Sequence, residues 1–199
     1  TAIGRMDPDE EVALADVAGA AELHVECSTA DRISAVLGAR LRDRQGMRYY
    51  RLDGRPRMEP DRRCRTLGPA DLDSVSKMFR AHYPESVFSR WMLEQPFIGL
   101  FEDDALLACG GVIAAAGGIA NLGNFLVVPA ARNRGLARAV AATLTHQLAD
   151  HGTELSTLGT TDKNPAACRA YEAIGFRCYD RRVQLDLVAH GAGRPLAAS

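Results

Sequence analysis

Two short segments of the chain hold residues suited to chemistry, the first by gripping an anion, the second by turning an amide and a phenol toward one cleft. The first runs Leu126-Val127-Val128-Pro129-Ala130-Ala131-Arg132-Asn133-Arg134-Gly135-Leu136-Ala137 and reads as an apolar strand, a short turn and a helix start. The first N–H groups of a helix have no intrahelical acceptor and lie at the positive end of its dipole, so a pyrophosphate can bind there. Gly135 removes a side chain where phosphate oxygens must approach, and Arg132, Arg134 and Arg138 add charge. A plain strand-to-helix turn with surface arginines is the structural alternative. The second segment runs from Asn164-Pro165 to Gly175-Phe176 and contains Tyr171. Asn164 and Tyr171 are seven positions apart, which leaves them about 20° from one helix face, so both can look into one cleft. Helix capping by Asn164 and a core position for Tyr171 are the plainer readings.

The five histidines, His24, His82, His146, His151 and His190, show no metal-ligand spacing, and no Ser/His/Asp arrangement is recognisable. No metal is therefore expected.

Regular elements must position these segments. Leu136, Val140, Leu144 and Leu148 lie four residues apart, one apolar helical stripe, with Gly152 as a left-handed stop. Asn164 followed by Pro165 predicts an N-cap with proline at the first helical position, and the helix runs to Ile174 before Gly175. Upstream, residues 97–101, 105–115 and 119–128 read as strands, the first two joined by a turn at Glu102-Asp103-Asp104. Residues 155–158 read as a further strand, and 176–179 and 183–188 as a final pair. Before them come a strand at 63–67 and a helical stretch from Pro69 that Pro84 interrupts. The N-terminal part reads as a strand at 21–27, a helix at 29–42 and a strand at 47–52, then a connector marked by Gly54, Pro56 and Pro60. These signals give residues 1–60 as an N-terminal extension, 61–189 as the main domain and 190–199 as a loose tail.

Composition narrows the function. At 199 residues, with 47% hydrophobic and 25% charged residues, the chain can bury a proper core. A net charge of -1 argues against nucleic acid as the main partner, although residues 40–65 carry ten arginines that read best as a solvated, charge-rich connector. Cys27, Cys64, Cys109, Cys168 and Cys178 form no CxxC pair and are odd in number, which fits a reducing cytoplasm. The longest uncharged run, from Ala105, is broken by glycines and asparagines and makes a poor membrane span.

Taken together, Arg132, Gly135 and Ala137 followed by Asn164, Tyr171, Gly175 and Phe176 resemble the GNAT superfamily of N-acyltransferases, whose signature joins Arg/Gln-x-x-Gly-x-Gly/Ala to a later Asn, Tyr and Gly-Phe helix. The resemblance covers residues 61–189. A finer likeness, to glycine N-acyltransferase-like members, rests on Tyr83-Pro84, Phe88, the turn at 102–104 and Leu122-Gly123-Asn124; the degenerate N-terminal repeat of that subgroup would account for residues 21–52.

The resemblance implies an α/β fold: a mixed, mostly antiparallel sheet flanked by helices, splayed between the fourth and fifth strands of the main domain, with a small α/β extension before it. It also implies acyl transfer from acetyl-CoA to a small-molecule amine. The pantetheine arm would pair with Leu126, Val127 and Val128, and the pyrophosphate would meet Arg132, Asn133, Arg134, Gly135, Leu136, Ala137 and Arg138. Asn164 would hydrogen-bond the pantetheine, Ala167 would also contact the donor, and Tyr171 would sit by the sulfur to protonate the leaving thiolate. Many family members place a glutamate base in a central strand. Here the fourth strand offers Asn121 and Asn124, and the next strand has Gly159. Tyr171, Glu85 and Asn124 are the candidate catalytic residues, with His82 and Glu102 as further candidate bases. A non-catalytic acyl-CoA-binding module and a protein N-acetyltransferase are the competing readings, and monomer and homodimer both stay open.

Overall fold

The computed structural model describes residues 22–84, 86 and 88–188. Eight strands form one open mixed sheet in the order β1-β8-β2-β7-β6-β5-β4-β3, flanked by four helices. The strands are β1 (Glu22–Glu26), β2 (Leu41–Asp53), β3 (Cys64–Thr66), β4 (Phe97–Glu102), β5 (Ala105–Ala116), β6 (Ile119–Val127), β7 (Leu155–Thr161) and β8 (Arg177–Leu187). The helices are α1 (Ala30–Leu37), α2 (Leu72–His82), α3 (Leu136–Asp150) and α4 (Pro165–Ile174). The described chain divides into two compact units, the smaller built from residues 22–48, 161–163 and 180–188, the larger from the remainder.

In the larger unit β3 to β6 run as an antiparallel meander. Its two tight turns fall where two adjacent residues accept positive φ, as a two-residue hairpin with native twist requires. Asp103 and Asp104 (φ +47° and +63°) join β4 to β5, and Gly117 and Gly118 (φ +55° and +77°) join β5 to β6. Helix α3 then returns the chain to β7, which pairs parallel with β6. The four-residue repeat of α3 buries as its spacing predicts: Leu136, Val140, Leu144 and Leu148 are all at most 5% exposed, in one cluster with Ile98, Leu100, Val112, Leu122 and Leu158. A second cluster joins Val75, Met78 and Phe79 of α2 to Phe97, Cys109 and Leu126. Phe88 stacks on Phe79 with ring centroids 4.7 Å apart and meets Phe97 edge-on at 5.9 Å.

In the smaller unit β1 lies antiparallel to β8, with Leu23 opposite Leu185 and Val25 opposite Val183. Ile33 and Leu37 of α1 complete this small core. Two local expectations change here. Helix α1 ends at Leu37, where Gly38 takes φ +48°, and β2 begins at Leu41 rather than at 47. The final segment is one 11-residue strand, not two, since no residue between 177 and 187 leaves extended structure.

The arginine-rich stretch is not simply solvated. Arg44 pairs with Asp31, Arg48 with Asp162, Arg51 with Asp53, Arg55 with Asp150, Arg63 with Asp61, and Arg65 with Asp71. Three of these six partners, Asp31, Asp162 and Asp150, lie far off in sequence, so the local charge count overstates the field. Among the described residues no helix is long and apolar enough to cross a membrane.

Candidate functional site

Strand β6 changes character halfway along. Ile119 to Leu122 pair with Leu155 to Leu158 of β7; beyond Leu122 no pairing with β7 continues, although both strands do. The register against β5 slips at the same place, between Cys109 opposite Leu126 and Gly111 opposite Gly123, so β6 carries an extra residue. Such a bulge bends and twists its strand. Its hinge is Asn124 at φ +53°, a left-handed conformation that asparagine tolerates better than most residues. Gly110 on β5 leaves room for the Phe125 ring, whose Cδ1 would stand 2.2 Å from any Cβ there.

After the free end of β6, the chain turns through Asn133 (φ +62°) and Gly135 (φ +77°) into α3. The first intrahelical bond is Ala139 N–H to Gly135 O at 3.0 Å, so the amides of Leu136, Ala137 and Arg138 precede it. A left-handed residue at Gly135 avoids a Cβ strain of roughly 1 kcal/mol or more and keeps the helix end open. A Cβ there would lie 3.3 Å from Arg138 Nη2.

Helix α4 forms the facing wall. Asn164 Oδ1 accepts the Ala167 N–H at 3.1 Å, so capping is realised, and its Nδ2 remains as a donor. Tyr171 is buried among the rings of Tyr50, Phe125 and Phe176, with centroids at 6.2, 5.7 and 6.1 Å. None of the described residues hydrogen-bonds its hydroxyl. Burial pushes this phenol well above the usual tyrosine range, with the nearby Cys168 adding to the rise. Tyr50 beside it donates to Glu172 Oε1 at 3.0 Å.

These pieces enclose one cavity of about 840 Å³. Of the candidate residues, Leu126, Val127, Arg132, Asn133, Arg134, Gly135, Leu136, Ala137, Arg138, Asn164, Ala167 and Tyr171 line it. Val128 does not: its N–H is engaged by Leu107 O at 2.9 Å, toward β5. Asn124 is likewise absent from the lining. Its Oδ1 accepts the Ser86 hydroxyl at 3.2 Å and its Nδ2 faces Met92 Sδ at 2.9 Å, so its amide fastens the bulge to the segment before β4. Glu85 lies outside the described residues. His82 is exposed in the last turn of α2, and Asn121 and Gly159 are exposed too. Glu102 accepts hydrogen bonds from Arg134 and Arg63, and the Arg134 bond holds its carboxyl below the usual range, which makes it a poor base. Motif reading missed Phe125, Ala131, Ala166, Arg169 and Ala170, which also line the cavity. Ala166, Ala167 and Ala170 lie at helical spacing on α4, a run of small residues that signals a close approach.

The cavity thus joins a strand edge released from its neighbour, a helix start with free amides and arginines, and a buried phenol. Solved structures share this architecture. A protein described as a GNAT-family acetyltransferase, from Novosphingobium aromaticivorans, superposes with a TM-score of 0.67 at 23% identity, over 76% of this chain and 68% of its own. The fold is that of the GNAT acetyltransferases. A GCN5-related N-acetyltransferase from Sphaerobacter thermophilus also gives 0.67, at 16% identity over 85% of this chain and 60% of its own. The ribosomal-protein-S18-alanine N-acetyltransferase of Escherichia coli gives 0.51 at 19% identity, over 68% and 98%. The chain therefore spans about three-fifths to two-thirds of the first two relatives. Residues 97–185 match the FR47-like protein family. No curated protein matches the chain in sequence. None of these similarities singles out the glycine N-acyltransferase subgroup.

Proposed function

We propose that the chain transfers a short acyl group, acetyl in the simplest case, from coenzyme A to the amine of a small molecule. The observation that carries this reading is the single cavity shared by the released edge of β6, the 132–138 turn and Tyr171. The residues fit the donor: Leu126 and Val127 offer backbone without a β7 partner, Asn164 keeps a side-chain donor, and the helix start with Arg132, Arg134 and Arg138 suits phosphates. When bound, the donor supplies a thioester, whose acyl carbon accepts a nucleophile. In the transfer the amine nitrogen bonds to that carbon, the carbon–sulfur bond breaks, and the proton lost by the amine balances the one gained by the sulfur.

We assign to Tyr171, the buried phenol of the cavity wall, the role of assisting the sulfur. Because burial raises its phenol, it stays protonated at every working pH. A thiol of pKa about 8.5 holds its proton less tightly than this phenol, so Tyr171 acts chiefly as a hydrogen-bond donor to the developing thiolate rather than as a full proton donor. Among the described residues, the cavity walls hold neither a carboxylate nor an imidazole. An alkylamine of pKa near 10.4 is neutral in roughly one molecule in a few thousand at pH 7, against about one in ten for an amine near 8. The acceptor class we favour is accordingly a weakly basic amine. A peptide α-amine, at about 7.7 to 8.0, meets the same requirement and is the second reading.

Release of free thiol from acetyl-CoA, followed with a chromogenic reagent over amines graded in pKa and over short peptides, tests this. We expect the rate at pH 7 to follow the neutral fraction of the amine. Tight acetyl-CoA binding without thiol release for any acceptor would replace the enzyme with a binding module.

A further inference from the structure

Arg134 lines the cavity at the helix-start turn, yet its guanidinium is already held from behind. Its Nη2 donates to both carboxylate oxygens of Glu102, at 2.8 and 2.7 Å. A guanidinium has five N–H donors, two of them on that nitrogen, so Glu102 leaves Nε and Nη1 with three. Glu102 is itself braced, since Arg63 Nη1 donates to its Oε1 at 2.5 Å. Arg63 is in turn gripped by Asp61, Nε to Oδ1 at 3.0 Å and Nη2 to Oδ2 at 2.7 Å, and its backbone N–H also reaches Oδ1 at 2.9 Å. The row ends on firm elements: the Asp61 N–H donates to Thr143 Oγ1 of α3 at 3.0 Å, and Arg63 O accepts the Phe101 N–H of β4 at 3.0 Å.

An isolated exposed ion pair stabilises little, whereas a network with two-pronged geometry holds its members in place. The charges here alternate, Asp61, Arg63, Glu102, Arg134, and sum to zero, so the row supplies orientation more than field. A long arginine side chain about half exposed on a turn would otherwise sample many rotamers and lose that freedom on binding. Building on the coenzyme A reading, we infer that Glu102, braced by Arg63 and Asp61, is a positioning residue that fixes Arg134 by one nitrogen so that its other donors meet a phosphate of the acyl donor. Neither Glu102, Arg63 nor Asp61 lines the cavity. The contact they set up concerns affinity for the phosphorylated end of the donor, not the acyl transfer itself.

A double-mutant cycle tests it. Dissociation constants for coenzyme A and for its 3′-dephospho form are measured by calorimetry on the wild type, Glu102→Gln, Arg134→Ala and the double variant, each checked by thermal melt. We expect Glu102→Gln to weaken coenzyme A about five- to tenfold in the wild-type background and less than twofold when Arg134 is already alanine, a coupling of ordinary size for groups in contact. A coupling seen with both ligands assigns the contact to the pyrophosphate, and one seen with coenzyme A alone assigns it to the 3′-phosphate; either supports the positioning role. Unchanged binding by Glu102→Gln would show that the carboxylate does not position Arg134, tighter binding that it competes with the ligand, and an equal loss in both backgrounds a general structural effect. Each of these overturns the inference while leaving the donor reading intact. A wild-type protein that binds neither ligand would overturn both.

Discussion

The two halves of β6 share one strand and do opposite work. From Ile119 to Leu122 the strand is closed in by β7, and Ala120 and Leu122 are almost wholly buried in the core. From Gly123 to Val127 the β7 ladder is gone, and Phe125, Leu126 and Val127 border a cavity. What separates the halves is one extra residue, turned by the left-handed Asn124. A sheet thus gains a stretch of edge without a β7 partner in its interior rather than at its rim, where unpaired backbone invites aggregation.

The contrast can be broken from either side. On the closed half, Leu122→Ala removes a side chain 2% exposed from the main cluster, and thermal or urea unfolding should show a loss of about 2 to 5 kcal/mol. On the open half, Gly135→Asp and Gly135→Asn share the same left-handed backbone strain and differ in charge. The carboxylate should weaken acetyl-CoA relative to the amide by about 2 kcal/mol, roughly thirtyfold, because it stands among phosphate oxygens. Equal affinities by calorimetry would remove the anion role of this turn. Next in size is Tyr171→Phe, with kcat lowered about tenfold, the KM for acetyl-CoA little changed and the melting temperature held, since no described residue bonds its hydroxyl. A lowered melting temperature with full activity would make it a core residue. Smallest is Asn164→Ala, which loses the cap on Ala167 N–H and should cost about 1 kcal/mol of stability in a denaturant titration.

Most of what positions the site could be read from residues near one another in sequence. The four-residue repeat of α3, the Asn-Pro start and Gly stop of α4, and the turns at 103–104 and 117–118 are local signals with local causes. The turn into α3 at 132–138 was legible for the same reason, since helix start, glycine and arginines are contiguous. The bulge was not. A single left-handed Asn124 inside a strand leaves the apolar pattern nearly unchanged, and its amide is taken up by Ser86 and Met92, 38 and 32 residues away. Glu102 was open to misreading as a base because Arg134, which occupies it, lies 32 residues on. The arginine-rich connector shows the same limit: Arg48 finds Asp162 and Arg55 finds Asp150, partners that no count of neighbouring charges brings into view.

The central claim is that the acyl donor occupies the open half of β6 and leaves the closed half untouched. Hydrogen–deuterium exchange with and without saturating coenzyme A measures this directly. The account predicts slowed exchange at 125–138 and 164–171, with no change at 119–122 or 155–158. Protection confined to other segments, in a protein shown by calorimetry to bind coenzyme A, would contradict it.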